Sequence, residues 1–210
     1  MATVRTTRSE RKARTRSDLL AAARRVFLRR GFHVASLDEI AEEAGYTKGA
    51  VYSNFSGKDD LFLALLEEHY AQRAGAYAEL MFEDDDVEEA RRATARYMLE
   101  SYEREPAWWT LISDFATHAS ADPEVRERFR ALREEFLGAM AGLVEKLGER
   151  HGVAYRLPPR EVARGTGALM RGMVTDWILD PEGARAGEFE EMVAAYLRGV
   201  AVPLDERSTT

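Results

Sequence analysis

The chain has 210 residues, of which 45% are apolar and 32% charged, with a net charge of −7. That length suits one domain, or a small domain joined to a larger one, with enough apolar material for a sizeable core. It has no cysteine, which excludes disulfides, thiolate catalysis and cysteine-type zinc sites; no run reaches the ~18 apolar residues of a membrane span, and the basic start leads into an amphipathic segment rather than a signal peptide, so a soluble cytoplasmic protein is expected.

In chain order, the charge is divided unevenly. Residues 1–60 hold 12 Lys/Arg against 8 Asp/Glu, and the remainder 18 against 29. In the first 16 residues Arg5, Arg8, Arg11, Lys12, Arg14 and Arg16 oppose Glu10 alone. Such an arm can neutralise phosphates and release counterions, or be a solvated tail. Leu19, Leu20, Ala23, Val26 and Phe27 then mark the apolar face of a first helix stopped by Gly31, with Arg24, Arg25, Arg29 and Arg30 on its other faces. Ser36-Leu37-Asp38-Glu39 reads as a capping box, Ser36 and Glu39 satisfying each other's free amides. It opens a short helix, Leu37 to Ala44, which Gly45 ends. Thr47 caps a second short helix from Lys48 to about Phe55, and Ser56-Gly57 closes the unit.

The next, long helix carries Leu61, Phe62, Leu65, Leu66, Tyr70, Tyr77 and Met81 on one stripe, as far as the acidic run Glu83–Asp86. Further helices are expected over about 87–104, 106–120, 123–150, 159–179 and 187–200. Pro106, Pro123, Pro158-Pro159 and Pro181 stand at their boundaries, where a ring without an N–H costs least. Strand signals are scarce. The reading is all-α with about nine helices, divided near residue 57 into a small N-terminal part of three helices over 1–57 and a larger helical part over 58–210.

Two helices this short cannot stand alone. Ile40, Ala41 and Ala44 on the first, with Val51 and Phe55 on the second, offer apolar points toward Phe27 and Leu61. The outer face of the second carries Lys48, Gly49, Ala50, Tyr52, Ser53 and Asn54, small or polar side chains that suit entry into a major groove. The run SLDEIAEEAGYTKGAVYSNFSGKDDLFLALL resembles the helix-turn-helix of the TetR family, over roughly residues 15–66. The resemblance implies that Ser36 and Thr47 contact phosphate or base and that Lys48, Gly49, Ala50 and Ser53 approach the groove. It further implies that Tyr52 and Lys58 bind phosphate. Asn54 stands where many members carry His, and Asn can donate to phosphate or read adenine.

Beyond about residue 70 the family implies a ligand pocket and a dimer interface, in a repressor released from a palindromic operator by a small apolar or aromatic molecule. An activator of the same fold is the alternative. Candidate pocket residues are Tyr77, Tyr97, Tyr102, Trp109, Phe115, His118, Phe136, Met140, Met173 and Trp177, with Trp108 and Met170 beside them. A 3.6-period stripe of large residues is equally the mark of plain core. Asp114 and His118, at i and i+4, read as a satisfied polar pair rather than half of a metal site. Val162, Thr166, Leu169, Met170, Met173 and Trp177, beside Gly165, Ala168 and Gly172, form one candidate dimer stripe. Phe189, Met192, Val193, Tyr196, Leu197 and Val200 form another, for a two-fold four-helix interface. An enzyme is not expected: Gly165-Thr166-Gly167 misses both nucleotide fingerprints, and neither G-x-S-x-G nor H-E-x-x-H occurs. No cofactor is expected. A nonspecific architectural DNA binder would need a basic body, whereas residues beyond 60 are acidic.

Overall fold

In a computed structural model the described residues are 7–83, 85–180 and 186–203, and they form nine helices and a two-stranded ribbon. Arg5, Pro181 and part of the acidic run after Glu83 lie outside them. The helices are α1 (Arg8–Val34), α2 (Leu37–Ala44), α3 (Lys48–Tyr52), α4 (Lys58–Glu83), α5 (Val87–Arg104), α6 (Pro106–Ala121), α7 (Pro123–His151), α8 (Pro159–Leu179) and α9 (Ala186–Val200). The described residues fall into two compact units, one within 1–69 and 110–130, the other within 70–109 and 131–210. The first therefore takes in residues 58–69 and 110–130 in addition to 1–57. Helices α4, α6 and α7 supply residues to both units.

The basic start is helical from Arg8. Thr7 and Glu10 form a full capping box: the Glu10 amide donates to the Thr7 hydroxyl (3.2 Å), and the Thr7 amide to the Glu10 carboxylate (2.7 Å). At Ser36 only half of the expected box exists. The hydroxyl accepts from the Glu39 amide (3.1 Å), but the Glu39 carboxylate lies 3.5 Å from both Arg29 and Arg30. With Arg25–Glu43 (2.8 Å) and Arg29–Glu43 (3.2 Å), these exposed pairs link α1 to α2. Gly31 takes φ 73°, ψ 164°, a conformation open to glycine, and kinks α1 before its last residues. Gly45 exits α2 in the left-handed region, as the sequence requires (φ 72°).

The core of the first unit is aromatic. Phe27, Phe32, Phe62 and Phe115 are all buried, with ring centroids 4.3–5.8 Å apart. Phe129 closes edge-on against Phe115 at 5.4 Å. Ile40, Val51, Phe55 and Leu61 are buried as expected. Each such side chain withdrawn from water contributes about 1.5–3 kcal/mol, which is what lets two helices of 8 and 5 residues persist.

In the second unit the core joins Tyr77 and Met81 of α4, Ala90, Ala95, Met98 and Leu99 of α5, Leu147 of α7, Met170, Val174 and Trp177 of α8, and Phe189 and Val193 of α9. Pro106, Pro123 and Pro159 each occupy the first residue of a helix, where the missing N–H costs nothing. One element escaped the sequence reading. Val153–Tyr155 (β1) pairs antiparallel with Ala201–Pro203 (β2), Ala154 opposite Val202. Gly148 allows this ribbon to lie against α7: a Cβ there would stand 2.6 Å from the Val153 carbonyl oxygen.

Candidate nucleic-acid interface and ligand cluster

The turn between α2 and α3 is built by backbone capping. The Thr47 hydroxyl accepts from the Ala50 amide (3.3 Å), and the Tyr46 hydroxyl donates to Asp18 of α1 (2.8 Å). Helix α3 ends at Tyr52, shorter than the Lys48–Phe55 span expected. Arg16 fastens the chain just beyond that end: its guanidinium lies 4.4 Å from the Phe55 ring centroid and donates to the Asn54 carbonyl (3.2 Å). Arg16 is thereby tied into the fold, while Arg8, Arg11, Lys12 and Arg14 are exposed.

Ser36, Thr47, Lys48, Gly49, Tyr52 and Ser53 are exposed, and Ala50 and Asn54 half-buried. The hydroxyls of Ser36 and Thr47 act as acceptors within their caps, which leaves each O–H proton available to an external acceptor. Lys48 pairs with Asp38 at 2.8 Å, which raises its pKa above the ordinary lysine value. Both partners are more than half exposed, so the pair is worth little and a phosphate can compete for the ammonium. Tyr52 is 53% exposed. Two expected residues are bonded back onto their own turn. The Ser53 hydroxyl donates to the Ala50 carbonyl (2.9 Å), and the Asn54 amide donates to the same carbonyl (2.8 Å) and to Ser53 (3.3 Å).

Lys58 is tied into the fold. Its ammonium donates to the carbonyls of Phe32 (2.9 Å), His33 (3.1 Å) and Ala35 (3.1 Å), where α1 ends. An ammonium has three N–H donors, and all three are engaged by these carbonyls. Burial holds its pKa below the ordinary lysine value, with Asp59 acting against the shift.

Of the ten expected ligand residues, eight meet in the second unit's cluster. Tyr77 and Trp177 are buried there, and Tyr97, Tyr102, Trp109, Phe136, Met140 and Met173 pack on it half-buried. Tyr77 meets Tyr97 edge-on at 5.0 Å, and Tyr102 lies 4.7 Å from Trp177. The other two belong to the first unit. Phe115 is fully buried among Phe32, Phe62 and Phe129, and His118 bonds Asp59 at 2.8 Å rather than Asp114, which is exposed. Helical spacing puts Phe115 on an apolar face without saying which core receives it, and it offers Asp114 rather than Asp59 as the partner of His118. An open cleft of about 310 Å³ lies between α4 and α5, lined by Leu80, Glu83, Glu89, Ala90, Ala93, Arg96, Tyr97 and Glu100. Tyr97 is the one expected residue it contains.

The sequence reading missed Arg73, which is 6% exposed. It donates to the hydroxyls of Ser101 and Tyr77, and its guanidinium lies 4.9 Å from the Trp109 ring centroid, 5.3 Å from Tyr77 and 5.6 Å from Tyr97. The signal was present: Arg73 falls between Tyr70 and Tyr77 on the stripe that helical spacing assigns to the interior. Among the described residues no group of three or more His, Asp or Glu could hold a metal ion, and no helix is long and apolar enough to cross a membrane.

A capped pair of short helices on an aromatic core, with a small-residue outer face, defines a helix-turn-helix protein. Residues 19–65 match the family described as bacterial regulatory proteins, tetR family, and residues 87–202 match the BetI-type transcriptional repressor C-terminal family. The chain belongs to the TetR family of transcriptional regulators. It is 30% identical to the HTH-type transcriptional repressor NicS of Pseudomonas putida over 138 residues, 66% of this chain and 65% of that one. It is 31% identical to the HTH-type transcriptional activator FasR of Mycolicibacterium smegmatis over 133 residues, 62% and 59%. The chain thus spans about three fifths to two thirds of the length of these relatives. A TetR-family regulator structure from Mesorhizobium loti superposes with a TM-score of 0.73 at 21% identity, over 92% of this chain and 96% of that one. A regulator from Saccharomonospora viridis, solved in complex with choline, gives 0.70 at 18%, over 90% and 99%. At such identities the two structures establish the fold alone.

Proposed function

We propose that this protein is a homodimeric repressor that binds a palindromic operator through residues 1–57 and leaves it when a small molecule enters the helical body, residues 58–210. The observation that carries the reading is Gly49. It sits inside a five-residue helix at negative φ, exposed, with only the Thr47 hydroxyl (3.8 Å) near a would-be Cβ. Glycine in a helix costs about 1 kcal/mol relative to alanine. Nothing among the described residues requires it, and the close approach of an external surface would account for it. Thr47, Lys48 and Tyr52 flank it along the chain and, with Ser36 at the start of α2, offer donors suited to phosphate; Ala50, Ser53 and Asn54 complete the proposed groove-facing set.

Dimerisation is supported by what the core leaves uncovered. Val162, Met170, Trp177, Phe189 and Val193, five of the expected interface residues, are buried within the protomer. Ala168 and Gly172 of α8 and Met192, Ala195 and Gly199 of α9 remain exposed, a small-residue surface on which two copies can approach closely. Two recognition helices are what a palindrome requires. Release results if the ligand prefers a conformation whose two helices no longer fit successive grooves, and α4, which supplies residues to both units, is the element to carry the change. The reading is of a cytoplasmic regulator, not an enzyme. The activator FasR among the relatives favours a second reading, in which the ligand-bound form stimulates transcription.

The test is enrichment of genomic fragments by the purified, folded protein at modest salt, followed by sequencing. A palindromic motif bound by two protomers supports the proposal. Binding without sequence preference, or absence of enrichment by ligand-stripped protein, refutes it.

A further inference from the structure

Arg73 carries a buried charge with no carboxylate beside it among the described residues. Its two hydrogen-bond partners, the hydroxyls of Ser101 and Tyr77, are neutral, and aromatic rings flank it. Buried cations are ordinarily paired, because desolvation of an unpaired one is expensive. Ring faces offset part of that cost. Two hydrogen bonds use two of the five N–H donors of the guanidinium fork, a shape that matches a carboxylate.

The surroundings favour an anion. Burial pushes the Tyr70 phenol above its ordinary pKa, and the charges of Arg133, Arg171 and Arg73 oppose that push. Helices α7, α8 and α4 thus bring three arginines to bear on one ring, Arg73 buried and the other two exposed, in a chain whose net charge is −7. A quaternary ammonium is disfavoured because the box of Tyr77, Tyr97 and Trp109 already holds a cation. The open cleft between α4 and α5 shares Tyr97 with these surroundings but not Arg73, and Glu83, Glu89 and Glu100 outnumber Arg96 there, which disfavours an anion in it.

We propose that Arg73 anchors the effector of this regulator, and that the effector is a small organic carboxylate on an apolar or aromatic body. The carboxylate takes the guanidinium fork, with Ser101 and Tyr77 as flanking hydroxyls. The body lies against Tyr102, Phe136, Met140 and Met173, whose half-buried rings and thioethers adapt to shape. This rests on the ligand-responsive reading above and names the chemistry of that ligand.

The test is thermal unfolding of the full chain with millimolar benzoate, phenylacetate or octanoate, beside neutral benzamide and choline chloride, at matched ionic strength. At least one carboxylate is expected to raise Tm by several degrees, with choline and benzamide without effect. Arg73→Met should abolish that rise while unfolding at the same temperature as the wild type or higher, because it removes an uncompensated buried charge. Should that variant fail to fold, Arg73→Lys keeps the charge but not the planar fork and should weaken the carboxylate response about tenfold. No rise with any carboxylate, or a rise undiminished in either variant, overturns the proposal. A rise with benzamide alone retains a ligand-responsive protein and overturns its anionic chemistry.

Discussion

The Lys58 ammonium lies 4.7 Å from the centroid of the Phe32 ring and donates to the Phe32 carbonyl at 2.9 Å, so the first residue of α4 caps the end of α1. Three carbonyls that α1 cannot satisfy for itself converge on one side chain. Lys58→Met keeps the length and discards the donors. It is expected to lower stability by about 1–3 kcal/mol, measured by urea unfolding. The slope of log affinity for DNA against log salt should stay at the wild-type value. A slope shallower by about one would mean that Lys58 neutralises a phosphate after all.

Gly49→Ala separates folding from binding. With nothing but the Thr47 hydroxyl within 4 Å of the added methyl, the variant should be as stable as the wild type or firmer by about 0.5–1 kcal/mol. Its affinity for operator DNA should fall at least tenfold as the methyl meets the groove. Unfolding curves and fluorescence anisotropy on the same preparation check both halves.

Asp60 supplies a dependence on acid. Burial pushes its carboxyl up, but the Ser56 amide (2.9 Å) and the Arg128 guanidinium pull harder, leaving it below the ordinary value of 3.8. A depressed folded-state pKa adds stability above 3.8 that is lost as pH falls through the folded value. Asp60→Asn should therefore cost about 1 kcal/mol at neutral pH, a gap that closes as the solution is taken below pH 3.8. Denaturation midpoints across that range decide it.

At Gly148 an added methyl would stand 2.6 Å from a backbone oxygen, that of Val153. Backbone held in a strand pair cannot step aside cheaply. Gly148→Ala should destabilise the protein by about 1–3 kcal/mol, while Gly142→Ala, with open space around it, should not. Calorimetry of the two variants compares them directly.

What the sequence made legible was local. Caps at Ser36 and Thr47, the glycine exit at Gly45 and the prolines at 106, 123 and 159 are decided by neighbours along the chain, and the elements they bound lie where the pattern put them. What needed coordinates was the partner of each face. Helical spacing put Phe115 and Tyr77 on apolar stripes alike, yet one packs with Phe62 and the other with Tyr97. The Thr7–Glu10 box was hidden in a stretch whose charge suggested a tail. Arg73 was passed over because an arginine is usually taken as surface, and only packing shows it enclosed.

The ribbon of β1 and β2 bears on how the molecule assembles itself. Val153 and Pro203 are partners across 50 positions of chain, with α8 and α9 between them. Closing a loop of that size carries an entropic penalty that a few strand bonds cannot meet alone. The two helices must first find each other, after which the strands meet at little further cost. The ribbon is therefore a latch that shuts late in folding, and the amides of Ala154 and Val202 should gain exchange protection only as the last step completes.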